Sequence, residues 1–169
     1  EYLAKTLQGL EGVLADELKA LGAKDIEIQR RAVSFKGDKK TLYKANFWLR
    51  TALRILKPVA VFKVNSPDDV YTEIKRLKLE EFITANKTFS IDTTVYSEQI
   101  NHSRYVTYKA KDAIVDYFTE KYGKRPSVSV ANPDIYFNLH ISHTTCTLSL
   151  DSSGAPLFKR GYRVAQTEA

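Results

Sequence analysis

An α/β (α+β) chain of two successive domains is what the sequence predicts, and three observations predict it. The first sixty residues alternate between two-fold and helical apolar spacing in the order β-α-β-β-α-β, the ferredoxin-like split motif. A helix-start signature, Ser66-Pro67-Asp68-Asp69, then opens a second run of alternating helical and strand patterns. Finally, 169 residues of which 43% are hydrophobic and 27% charged can fill one full core or two small ones.

Each element has its own warrant. A short strand over about Tyr2–Thr6 meets Gln8-Gly9, after which Leu10, Val13, Leu14, Glu17, Leu18 and Leu21 fall mostly on one helical face and Gly22 ends the helix. Ile26 and Ile28 alternate with charged neighbours, and residues 32–36 follow with almost no connection, which predicts a hairpin. Gly37-Asp38 supplies a turn and an N-cap for a helix through Leu42, Ala45 and Leu49. Residues 53–64 read as a long strand interrupted at Pro58.

In the second half, Val70, Ile74 and Leu77 keep helical spacing after a first-turn proline and two carboxylates. Phe89, Ile91, Thr93 and Val95 alternate with polar residues, as in a half-buried strand. The longest predicted helix spans about 104–122, with Val106, Ala110, Ala113, Ile114, Tyr117 and Phe118 as its buried stripe and Gly123 as its terminator. Strands at 128–130, 135–141 and 146–150 complete the unit. The expected domains are therefore 1–64, ferredoxin-like, and 65–154, with 155–169 as a basic linker.

No run of roughly 18 apolar residues is present, and the N-terminus lacks a basic segment followed by an apolar one, so neither a membrane span nor a secretory signal is expected. One cysteine, Cys146, cannot form an internal disulfide, which fits a reducing cytoplasm. A surplus of 26 Lys and Arg over 20 Asp and Glu, net +6, suits a polyanionic partner as well as simple solubility.

Catalytic patterns are missing. His140, His143 and Cys146 share a spacing of three, but a strand sends such residues to opposite faces, so no metal is expected. Gly9-Leu10-Glu11-Gly12 has the spacing of a phosphate-clamping loop, yet Glu11 would oppose phosphate and a plain helix start explains it better. Asp112 and Asp116, one helical turn apart among Lys109, Lys111 and Glu120, read as a solvated helix surface. No Walker loop, G-x-G-x-x-G or nucleophile motif occurs, so no catalytic residue and no cofactor is assigned to this chain.

Basic residues interleaved with aromatics remain as candidates for nucleic-acid contact. Arg50 and Arg54 flank the passage from second helix to fourth strand, and Arg104, Tyr108, Lys109 and Lys111 gather, with Tyr105, at the start of the long helix. Arg104 stands where a helix N-terminus already favours an anion, with ordinary ion pairing as its alternative. Arg125 belongs to Lys124-Arg125-Pro126, which is equally a rigid turn. Lys159, Arg160, Tyr162 and Arg163 form the densest cluster, where guanidinium groups fork onto phosphate and a tyrosine stacks on a base, or where a linker is simply basic.

Several segments carry a resemblance. These are Leu49-Arg50-Thr51-Ala52 with Arg54-Ile55, Lys111-Asp112-Ala113-Ile114-Val115-Asp116, Gly123-Lys124-Arg125-Pro126, Asn132-Pro133-Asp134, and Asp151-Ser152-Ser153-Gly154 leading into Lys159-Arg160-Gly161-Tyr162-Arg163. Residues from about 42 to 154 resemble a THUMP domain. The whole chain resembles the N-terminal region of the 23S ribosomal RNA guanine-N2 methyltransferases, a family also catalogued as N6-adenine-specific DNA methylases. The resemblance implies a ferredoxin-like domain and a THUMP domain that capture structured RNA. It also implies a following Rossmann-like domain that uses S-adenosylmethionine; the Asn/Asp-Pro-Pro-aromatic motif of that domain has no counterpart here, since Asn132-Pro133-Asp134 lacks the second proline and the aromatic. RNA roles for Arg50, Lys111, Arg125 and Arg163 rest on charge and matched position. THUMP-like domains also precede transfer RNA thiolation, deamination and methylation enzymes, and a sheet that docks a partner protein is the reading from another class.

Overall fold

The computed structural model describes residues 1–154 and Leu157. Two compact units emerge, Glu1–Lys57 with the stretch from Asp151, and Pro58–Leu150. No helix among the described residues is long and apolar enough to cross a membrane.

The first unit contains β1 (Tyr2–Thr6), α1 (Glu11–Ala20), β2 (Lys24–Gln29), β3 (Ala32–Lys36), α2 (Lys39–Trp48) and the first half of β4 (Ala52–Lys63). Its strands lie in the order β2-β3-β1-β4, antiparallel throughout, which is the ferredoxin-like arrangement expected from the element order. Leu14, Leu18, Val33, Phe35, Ala45, Leu49 and Ile55 form the core, joined by Leu157. Each of these side chains other than Ala45 contributes roughly 1.5–3 kcal/mol by leaving water.

Two expectations change here. Val13 is exposed while Leu14, Ala15 and Leu18 are buried, because a ten-residue helix packed on one sheet face buries only a narrow stripe. β4 also runs through Pro58 without a break. Ile55 turns its carbonyl toward the Ser152 N–H, so two-fold alternation points Pro58 to the opposite edge, past the last β1 pair at Leu3 and Leu56. No ladder bond is lost there.

The second unit contains the rest of β4, α3 (Pro67–Lys75), a 3-10 turn at Leu79–Glu81, β5 (Thr88–Tyr96), α4 (Ser103–Tyr122), β6 (Ser127–Val128), β7 (Ile135–Ser142) and β8 (Thr145–Asp151) as far as Leu150. Strand order is β8-β7-β5-β6, with β5 parallel to both neighbours and β7 antiparallel to β8. Asp69 secures the start of α3 by accepting the Asn65 and Ser66 N–H groups at 2.7 and 3.0 Å. Gly123 ends α4 at φ +64, a left-handed position.

Alternation then decides what α4 covers. Phe89, Phe137, Leu139, Ile141, Cys146 and Leu148 meet Val106, Ala110, Ala113, Ile114 and Phe118 in one core. β6 is shorter than expected: Ser127–Val128 pair with β5, Ser129 donates to the Phe89 carbonyl, and Val130 is exposed. The Asp134 carboxylate takes both the N–H (2.8 Å) and the hydroxyl (3.1 Å) of Thr88, fixing the turn before β7.

Candidate nucleic-acid interface

α4 has one polar side tied to its own unit. Lys109 Nζ lies 2.6 Å from Asp68 and 5.5 Å from the Tyr105 ring centre, and Asp68 holds the ammonium above its usual pKa range. The Tyr71 hydroxyl donates to Asp116 at 2.7 Å, while Lys75 bridges to Glu120 at 2.7 and 2.8 Å. Glu80, on the 3-10 turn, receives Lys121 and the hydroxyls of Tyr117 (2.6 Å) and Tyr122 (2.7 Å). Those donors, Lys121 foremost, lower the Glu80 carboxyl to about 2.

The opposite polar side is open. Arg104, Tyr108, Lys111 and Val115 recur at intervals of four, three and four, the spacing of one helix face. Arg104 is exposed in the first turn and has no ion pair among the described residues. Tyr108 is exposed, with Lys111 Nζ 5.6 Å from its ring centre, a cation–π distance. The carboxylate beside Lys111 is that of its neighbour Asp112, at 3.4 Å.

Lys111 and Arg125 share a cleft of about 260 Å³, lined also by Asp112, Val115, Pro126, Ser127 and Val128. Gly123 makes this possible, because its left-handed turn reverses the chain and brings Arg125 back beside α4. A guanidinium fork, an ammonium and a serine hydroxyl at one cleft suit phosphate oxygens. Asp112 offsets part of the charge and makes the cleft a poor general anion trap.

Other sequence candidates are placed differently. Arg54 is spent on Asp151 within the first unit, at 2.6 Å. Arg50 is exposed, and its backbone N–H donates to Glu17, which also clamps Thr51 through the N–H and hydroxyl. Lys159, Arg160, Tyr162 and Arg163 lie outside the described residues. Glu11 accepts the Gly9 and Arg31 N–H groups at 2.7 and 2.9 Å, so Gly9–Gly12 is a stapled helix start. Cys146 is buried, and burial pushes its thiol up to about 12.

One group of exposed side chains escaped the sequence reading: Tyr43, Lys44, Phe47 and Trp48 on α2. The signal was present, since these residues fall off the Leu42–Ala45–Leu49 stripe in a helix without a single acidic residue.

Comparison with known proteins matches this geometry to named relatives. Residues 1–56 match the RlmL ferredoxin-like domain model, and residues 64–151 match the THUMP domain model. Ribosomal RNA large subunit methyltransferase K/L of Syntrophotalea carbinolica is 42% identical over 163 residues, which are 96% of this chain and 23% of that protein. The crystal structure of a predicted N6-adenine-specific DNA methylase from Listeria monocytogenes superposes with a TM-score of 0.83 at 29% identity, covering 99% of this chain and 44% of that one. SMU.472, crystallised in complex with SAH, gives a TM-score of 0.82 at 25% identity, covering 97% and 44%. The chain thus spans about a quarter of that curated relative and under half of either crystallised one.

Proposed function

We propose, from the premise that this chain belongs to the THUMP domain family and carries an RlmL ferredoxin-like domain ahead of its THUMP domain, that it captures structured RNA for a methyltransferase. The observation that carries the reading is the meeting of Lys111 and Arg125 at one cleft, continued along α4 by Tyr108 and Arg104. Cations in such a row meet successive phosphates, and an exposed tyrosine offers a ring to an unpaired base. Double-stranded RNA hides its sequence in a deep, narrow groove, so this surface reads shape and backbone position.

The substrate is 23S ribosomal RNA, and the modified atom is a guanine N2. The relative from Syntrophotalea carbinolica, named a ribosomal RNA large subunit methyltransferase, supports the first of these. Methyl transfer from S-adenosylmethionine belongs to a further catalytic domain of the longer protein, a reading supported by the SAH complex of SMU.472. This chain's part is to bind and orient RNA, in the cytoplasm.

The test is a filter-binding titration with 23S ribosomal RNA fragments, transfer RNA and a DNA duplex of matched length, each at two salt concentrations. Salt-sensitive preference for folded ribosomal RNA is expected. Stronger binding of transfer RNA reassigns the substrate, and no binding of any nucleic acid at low salt overturns the proposal.

A further inference from the structure

One helix in the first unit extends the RNA-binding reading, on which this inference rests, to a second surface. α2 turns Leu42, Ala45 and Leu49 toward its core and presents Lys40, Tyr43, Lys44, Phe47 and Trp48 to solvent. Tyr43, Phe47 and Trp48 are 76%, 70% and 62% exposed, a density of bare aromatic surface that soluble domains seldom leave without a use. The Phe47 and Trp48 rings meet edge to face, centres 5.1 Å apart at 77°, so their contact covers one face of one ring and leaves the rest of both exposed.

Charge identifies the occupant. Residues 39–50 hold Lys39, Lys40, Lys44 and Arg50 and no Asp or Glu. None of the three lysines has an ion pair among the described residues. The nearby carboxylate, Asp38, is engaged as the N-cap, accepting the Thr41 N–H at 2.7 Å and hydroxyl at 2.9 Å. A second copy docking through the same face would press lysines against lysines. A purely apolar partner would strip water from ammonium groups and return no counter-charge. A single-stranded polyanion whose units carry π-faces satisfies the rings and the cations together.

We propose that α2 is a stacking site for unpaired RNA: a base packs on the Trp48 indole with Phe47 bracing it, and the flanking phosphates fall to Lys40 and Lys44. The helix would hold a single-stranded extension or loop of a folded RNA.

Trp48 is the single tryptophan of the chain, so its emission reports this face alone. The experiment titrates the chain with two labelled RNA hairpins of identical stem, one blunt and one with a single-stranded extension of about six nucleotides. Anisotropy of the label follows binding, and Trp48 emission follows stacking. The extended hairpin quenches Trp48 on saturation and the blunt one does not. Trp48→Ala weakens the extended hairpin roughly 5- to 100-fold and leaves both the blunt hairpin and the melting temperature unchanged. Saturable binding of the extended hairpin with no change in Trp48 emission overturns this inference and leaves the α4 reading intact. Absence of any anisotropy change removes the RNA reading itself. An emission change on concentrating the RNA-free protein identifies a second copy as the occupant and also overturns the inference.

Discussion

Arg54 Nη1 donates to Asp151 Oδ2 at 2.6 Å, and the Asp151 side chain is only 2% exposed. The pair closes the first unit on itself, because Arg54 lies on β4 and Asp151 at the end of β8, 97 residues away in sequence. The other Asp151 oxygen accepts the Ser153 N–H at 2.9 Å and the Ser153 hydroxyl.

Removing the arginine leaves a buried carboxylate without its charge partner. Loss of one member of a buried pair costs about 3–5 kcal/mol, and the retained Ser153 bonds place Arg54→Leu near the lower figure. Urea unfolding should show a fall of roughly 2–3 kcal/mol. A change below about 0.5 kcal/mol would leave the side chain available for other work.

Glu80 gives a pH signature. Its carboxyl, near 4.5 when unfolded, is held at about 2 in the folded protein by Lys121, Tyr117 and Tyr122. A depressed carboxyl stabilises the fold above the unfolded value and loses that effect as pH falls toward the folded one. Glu80→Gln should therefore melt a few degrees lower at pH 7, with the deficit shrinking between about pH 4.5 and 2. A deficit independent of pH would show that packing, not the charge, matters there.

A methyl group at Gly123 would meet no atom within 4 Å beyond its chain neighbours and its own helix backbone, so the role of this glycine is conformational. At φ +64 an alanine costs about 1 kcal/mol from the left-handed backbone alone. Gly123→Ala should lose that much by thermal unfolding and weaken RNA binding further, because the same turn delivers Arg125 to the cleft. RNA affinity equal to that of the parent would break the link between turn and cleft.

The Cys146 thiol, buried and raised to about 12, should resist a thiol reagent at pH 8 until the protein unfolds. Modification within seconds in native buffer would show that the β7–β8 layer opens readily.

The fold was legible where one period dominated. Phe89 to Val95 and Val106 to Phe118 announce a strand and a helix because core contact dictates every second, or every third and fourth, residue. Pro58 misled because a ladder's needs depend on which neighbour is still present at that point, and no single-strand pattern records it. At the candidate site, charge and aromatic content singled out Lys109 and Lys111 alike. Sequence could not tell them apart, since the difference is the element each faces: Lys109 meets Asp68 on α3, whereas Lys111 lines a cleft with Arg125. The α2 face is hard to see in the sequence because apolar spacing marks only the core-facing Leu42–Ala45–Leu49 stripe, and an aromatic beside that stripe looks the same whether it is buried or exposed.

The central claim is that Lys111 and Arg125 contact phosphate. The most direct measurement is the salt dependence of folded-RNA binding for the parent chain and for Lys111→Ala with Arg125→Ala combined. Each phosphate contact contributes roughly 0.7 to 0.9 to the log–log slope, so the double variant should lose about 1.5 units of slope while its melting temperature stays within a degree or two. An unchanged slope in a folded double variant would contradict the account and place the RNA elsewhere on the chain.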